Sequence, residues 1–144
     1  MAITTNAIAS SFKKELLEGK HDFTASTGSA FKLAMYNSNA VLGKSTTSYT
    51  TGSEVTSPAG YTAGGKALVN TGTSVSSSVA ITTFGNLSFT NVTLTARGAL
   101  IYNTSNGDSA VAVLDFVDNK TATAGTFTIQ FPAYTTSAAI LRIS

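Results

Sequence analysis

The stretch NVTLTARGALIYN, residues 91–103, decides the fold. It begins as a clean alternation, with Val92, Leu94 and Ala96 on one side and Thr93 and Thr95 on the other. That period of two belongs to a half-buried strand. Arg97 and Gly98 follow, and then an unbroken apolar run, Ala99-Leu100-Ile101. A strand that is apolar on both sides has both faces covered. The segment therefore passes from sheet surface to sheet interior, and an arginine stands at the passage.

The run stops at TSNGD, residues 104–108, where Asn106-Gly107 is a strong tight-turn signal. AVAVLDFV, residues 110–117, is apolar almost throughout except for Asp115. The spacing predicts a hairpin of 92–103 with 110–117. Two lone charges then lie in paired apolar strands. A buried arginine needs a partner, and a carboxylate can accept its fork. Arg97 and Asp115 are therefore expected to be a structural pair, with Gly98 as a bulge that re-aims the arginine. Breaking a fully buried pair of this kind costs on the order of 3–5 kcal/mol.

Further strands are predicted around this hairpin. FKLAMYN (31–37) alternates, with Phe31, Leu33 and Met35 on one face. KALVN (66–70), SVAITTF (78–84) and LSFTNVTLTA (87–96) are strand-like. GTFTIQF (125–131) directs Phe127, Ile129 and Phe131 inward and stops at Pro132. In AAILRIS (138–144) Ile140 is expected inside, with Leu141 and Ile143 as further candidates. The section 38–66 is rich in Ser, Thr and Gly and reads as a long loop, either lying on the surface or reaching a neighbour. Seven or eight short strands with frequent turns give an all-β chain, a β-sandwich or jelly-roll-like barrel.

One short helix stands at the N-terminal end, at about residues 10–18. Ser10 or Ser11 can cap it and Gly19 can end it. Ile8, Phe12 and Leu16, with Leu17 beside them, make its apolar stripe, and Lys14 and Glu18 an i,i+4 pair. Residues 1–9 read as an extended arm, and residues 10–144 as a single β domain.

Composition fits this fold. Only 11% of the 144 residues are charged, the net charge is +2, and Ser and Thr make up about three residues in ten. There is no patch of Lys and Arg beyond Lys13-Lys14, so no nucleic-acid partner is expected. No secretory signal and no apolar stretch of membrane-spanning length is read. A surface so poor in charge is weakly protected against association and suits a subunit covered in an assembly.

Chemistry is sparse. His21 is the only histidine, with Asp22 beside it as an orienting group, and there is no cysteine. No GxSxG elbow is present, and one histidine cannot supply a zinc site. NTSNGD (103–108) lacks the pattern of a calcium loop. GYTAGGK (60–66) is followed by Ala67 where a phosphate loop needs Ser or Thr. No catalytic set, cofactor or metal is expected.

Several segments, in order, resemble small virion proteins of tailed bacteriophages: SFKKELLEGKHDF (11–23), FKLAMYNSNAVLG (31–43), GYTAGGKALVN (60–70), TARGALIYN (95–103) and AVAVLDF (110–116). The resemblance covers most of the chain. Within that group it implies a capsid decoration, or cement, protein. Its partners would be the major capsid protein and copies of itself, as a homotrimer on the capsid surface of the virion, made in the host bacterial cytoplasm. The candidate assembly contacts are Ile3, Ile8, Phe12 and Leu16 in the arm and helix, and Tyr49 and Tyr61 in the long loop. A tail, baseplate or fibre-associated host-binding role and a head–tail neck role stay open beside it.

Overall fold

The computed structural model describes residues 3–144. It is all-β and sandwich-like, with two antiparallel sheets and one short helix. β1 (Ala7–Ile8) leads into α1 (Ser10–Leu17), followed by β2 (Phe31–Tyr36), β3 (Lys66–Ala67), β4 (Asn70–Ser76) and β5 (Val79–Phe84). Two long strands come next, β6 (Leu87–Asn103) and β7 (Ser109–Ile129), and β8 (Leu141–Ile143) closes the chain. The larger sheet has the order β1-β7-β6-β2-β3, and the smaller one β4-β5-β8.

The hairpin turns at a 3-10 turn, Thr104–Asn106, and at Gly107, which is left-handed at φ 60°. Its arms are longer than the hydrophobic runs indicate. β7 continues through 118–124, a polar stretch that alternation alone assigns to a loop, because its partner β6 continues opposite it, with Ala96 facing Lys120 and Leu94 facing Ala122. β4 also escapes the apolar pattern: NTGTSVS is exposed along most of its length and is held by its ladder to β5. β7 ends at Ile129, so Phe131 lies beyond it and is only partly buried. Ile140, just before β8, is half-buried; in β8 Leu141 is buried and Ile143 is 58% exposed, because the strand is an edge.

β2 does not alternate in burial. Every residue but Lys32 is buried, because β2 lies between β6 and β3 while the 37–65 segment folds back over it. Met35 donates its N–H to the Tyr61 hydroxyl (2.9 Å), and Tyr36 donates its hydroxyl to the Thr50 carbonyl (2.6 Å). Gly65, at φ 80°, is required at this crossing, since a Cβ would run into the Leu33 carbonyl. The two sheets meet through aromatic rings. Phe31 of β2 lies 4.6 Å from Phe23 and 5.6 Å from Phe84 of β5.

The N-terminal segment is not a free arm. Residues 1 and 2 lie outside the described residues, but Ile3 is fully buried and β1 pairs with β7 at Val113 and Ala112. Gly98 shows why. A Cβ there would come within 2.5 Å of Ile3 Cδ1 and of the Leu114 carbonyl, so the glycine makes a niche for the isoleucine. Helix α1 is capped differently from the expectation. Its N-cap is Ala9, with no side-chain cap, and Ser10 N–H bonds to the Lys44 carbonyl. The sheet sets this start, because Ala9 N–H is already bonded to the Val111 carbonyl. Gly19 follows the helix at φ 74°. Phe12 is buried and Leu16 packs on the core, but Leu17 falls off the stripe and is 92% exposed.

Ile3→Ala is expected to cost about 2–5 kcal/mol, the range for emptying a packed aliphatic site. A urea melt unchanged by the substitution would mean that the N-terminal segment does not hold the sheet.

Candidate assembly site

The site is built where β6 and β7 fall out of step. Ala96 faces Lys120 and Gly98 faces Asp115, so Arg97 alone stands opposite residues 116–119. The bulge is thus on β7, not at Gly98, whose place is taken by the Ile3 niche. Arg97 Nη1 donates to Asp115 Oδ1, and the two side chains are 17% and 10% exposed. The same Oδ1 accepts the Val117 N–H (2.8 Å), while Asp115 donates its own N–H to Asn6 Oδ1 (2.6 Å). The pair therefore ties β6, β7 and the N-terminal segment together.

Val117 sits at φ 71°. A β-branched residue in the left-handed region is an outlier that costs about 1–3 kcal/mol and persists only where its surroundings enforce it. The Asp115 carboxylate supplies part of that enforcement. The result is a knob on the sheet, with Val117 70% exposed and Asp118 exposed beside it.

Burial pushes the Asp115 carboxyl up, but the Val117 N–H and Arg97 together outweigh it and hold the group below its usual value. A depressed carboxylate adds stability above its unfolded pKa, about 3.9, and that stability is lost as pH falls through the folded value.

The other residues singled out from the sequence lie elsewhere. Ile3, Phe12 and Tyr61 are buried in the chain's own core, Leu16 is half-buried, and Ile8 is 36% exposed. Tyr49 stacks on Tyr102 with ring centroids 4.7 Å apart. Glu54 fastens the loop: Oε1 accepts the Tyr49 hydroxyl (2.6 Å), and Oε2 accepts the Tyr61 hydroxyl (2.6 Å) and the Gly64 N–H (2.8 Å). Tyr49 and Tyr61 therefore pin their part of the long loop inward. Glu54 had no sequence signal, since it stands alone in a polar loop.

Burial pushes Tyr102 up to about 12, with the Asp108 and Glu54 charges adding to it. Tyr36, Tyr49 and Tyr61 are raised further, first by burial. His21 is oriented by Glu15 and Asn103, not by Asp22. Its Nε2 lies 3.0 Å from Glu15 Oε1, and its Nδ1 2.9 Å from Asn103 Nδ2. Asn103 Oδ1 accepts the Ser105 N–H, which leaves its amide nitrogen as donor to Nδ1. Asp22 Oδ1 bonds to Thr24 instead.

Two open grooves flank these elements. One, of about 590 Å³, runs along β7 past Phe116, Lys120 and Phe127. The other, of about 620 Å³, lies between α1 and β8, with Phe12, Phe23, Ile81 and Leu141 among its lining. Among the described residues no group of three or more His, Asp or Glu side chains could hold a metal ion, and no helix is long and apolar enough to cross a membrane.

No family model, no curated protein and no solved structure matches the chain.

Two outcomes are expected. Asp115→Asn should destabilise the fold by about 1.5–3 kcal/mol, the range for a hydrogen bond to a charged group, and the deficit against wild type should shrink as urea melts are taken to lower pH. In an alkaline titration followed at the phenolate absorbance, raised phenols stabilise the fold below about pH 10 and cease to do so as pH rises through their folded values. Tyr102 should therefore ionise only near pH 12 or on unfolding. Ionisation of all the tyrosines near pH 10 in a chain still folded by circular dichroism would contradict the packing around Glu54.

Proposed function

We propose that this chain is a non-enzymatic structural protein of a tailed-bacteriophage virion, a decoration or cement protein that binds the assembled capsid shell and stabilises it. The observation that carries the reading is the surface. Leu17, Val41, Val117, Val75, Val69 and Ile143 are 92%, 72%, 70%, 69%, 68% and 58% exposed on a chain with only 11% charged residues. Single exposed aliphatics are ordinary, but six of them on a chain that also carries two open apolar grooves, one of them lined by Ile143, suit a surface meant to be covered. The order of phage-like segments along the chain points the same way. The partners in this reading are the major capsid protein and copies of the chain itself.

The mechanism is additive. One modest contact repeated by rotational symmetry yields avidity that a single contact lacks. A protein that binds only the assembled shell favours assembly by mass action. The buried His21 and the Arg97–Asp115 pair serve the fold in this account, and neither stands beside a nucleophile.

Cryo-imaging of the intact particle is the test. Copies spread over the shell at repeated symmetry positions are expected, and shells stripped of the chain should open at lower temperature than shells to which it is restored. Copies confined to the tail tip or neck would overturn the decoration reading.

A further inference from the structure

Two parts of the surface match each other in shape and charge. The first is the knob at 116–119. Val117 is 70% exposed, and Asp118 next to it is exposed and makes no ion pair among the described residues. The second is the groove between α1 and β8. Its floor is apolar, from Phe12, Phe23, Ile81 and Leu141, and Lys13 and Arg142 stand in its lining. Among the described residues neither cation is in an ion pair, and Arg142 Nη1 donates to the Ser137 carbonyl (2.9 Å). Asp22 also lines the groove, its Oδ1 accepting the Thr24 N–H (2.9 Å) and hydroxyl (2.6 Å), which hold it as a carboxylate.

With Lys13 and Arg142 against Asp22 the groove keeps a net positive charge beside an apolar floor, which fits an apolar side chain that carries a carboxylate beside it. Leu17, the most exposed aliphatic, does not meet this description, because its neighbour Glu18 is already bonded by Lys14 (2.7 Å) and Lys20 (3.2 Å). That end of the helix is net positive and would be repelled. Val117 with Asp118 does meet it. The groove's own lining contains none of residues 116–119, so the knob does not fill it within one chain.

We propose that the α1–β8 groove of one copy receives the Val117–Asp118 knob of a second copy of this chain. Val117 lies on the Phe12–Leu141 floor, and the Asp118 carboxylate lies between Lys13 and Arg142. Knob and groove are different patches, so the contact is head-to-tail and closes as a small ring where the rotation allows. The Arg97–Asp115 pair holds the knob in its strained form before contact, which reduces the ordering cost of binding. This inference rests on the self-assembly part of the proposed function and names the surface for it.

The test is sedimentation velocity on the full-length chain, with Asp118→Lys, the pair Lys13→Glu with Arg142→Glu, and the exchange of all three charges together. All three positions are exposed, so the variants should fold, and far-ultraviolet circular dichroism checks this. The wild type is expected to be a closed oligomer. Reversal on either side alone should weaken association more than about ten-fold, because it sets like charges together, and the exchange of all three should restore it. An oligomer that reversal on either side leaves intact, or a full exchange no better than the one-sided reversals, overturns this contact while self-assembly stands. A folded wild type that stays monomeric at about 100 µM, where even weak specific complexes form, overturns both.

Discussion

The whole arrangement depends on keeping two strands of unequal length in one ladder. β6 has 17 residues and β7 has 21, yet they pair from Asn103 and Ser109 at the turn to Leu87 and Ile129 at the far end. The surplus must leave the ladder somewhere, and most of it leaves opposite Arg97. An unpaired excursion of four residues frees backbone groups and bends the sheet. The Asp115 carboxylate answers both needs. It accepts the Val117 N–H that the ladder gives up, and through Arg97 it ties the base of the excursion back to β6. At 17% and 10% exposure the two charges are shielded enough to matter and wet enough to escape the full desolvation cost of a buried pair.

Once that hairpin is fixed, the rest has a template. β2 adds along Gly98 to Asn103, and β1 adds along Ala112 and Val113. The 37–65 segment then has a wall to lie against. It contains almost no regular structure, so its order comes from side chains. Three bonds converge on Glu54, and Val55 N–H bonds to the Met35 carbonyl. The four tyrosine hydroxyls that crowd this corner all find an acceptor: two on Glu54, one on the Thr50 carbonyl and one on the Gly64 carbonyl. A polar loop can be buried only on those terms.

Particular residues show where the sequence was readable. The hairpin, its Asn106-Gly107 turn and the meeting of Arg97 with Asp115 follow from alternation and from the scarcity of charge. β4 and the middle of β7 were not readable, because their residues are polar on both sides and their strand character is imposed by the neighbouring strand. Leu17 and Tyr61 were misplaced for opposite reasons. Helical spacing puts Leu17 near the apolar stripe, but it is the last residue of the helix and lies on its solvent side. Tyr61 sits in a sequence of turn residues, and only the far side of the sheet, brought close by Gly65, gives its ring a place to pack. For the candidate site the lone charges were visible, but the knob was not. Nothing in FVDN says that four residues will face one.

The cost of that knob is itself an argument about its use. A valine at φ 71° gives up about 1–3 kcal/mol relative to a residue that tolerates the left-handed region. Glycine at the same place would remove the penalty, and the chain uses glycine freely elsewhere, at Gly60, Gly64, Gly65 and Gly72, all with positive φ. Glycine would also remove the side chain. A strained, 70% exposed valine gains nothing for the fold from its own burial, since it has little. Its β-branched side chain has only a few rotamers, so an exposed valine on a pinned backbone presents a nearly fixed shape. Such a shape is of value only to something that meets it. The Arg97–Asp115–Asn6 set, which over-determines the backbone around Val117, then has a second role beyond closing the ladder: it holds an apolar contact ready in the conformation in which it is received.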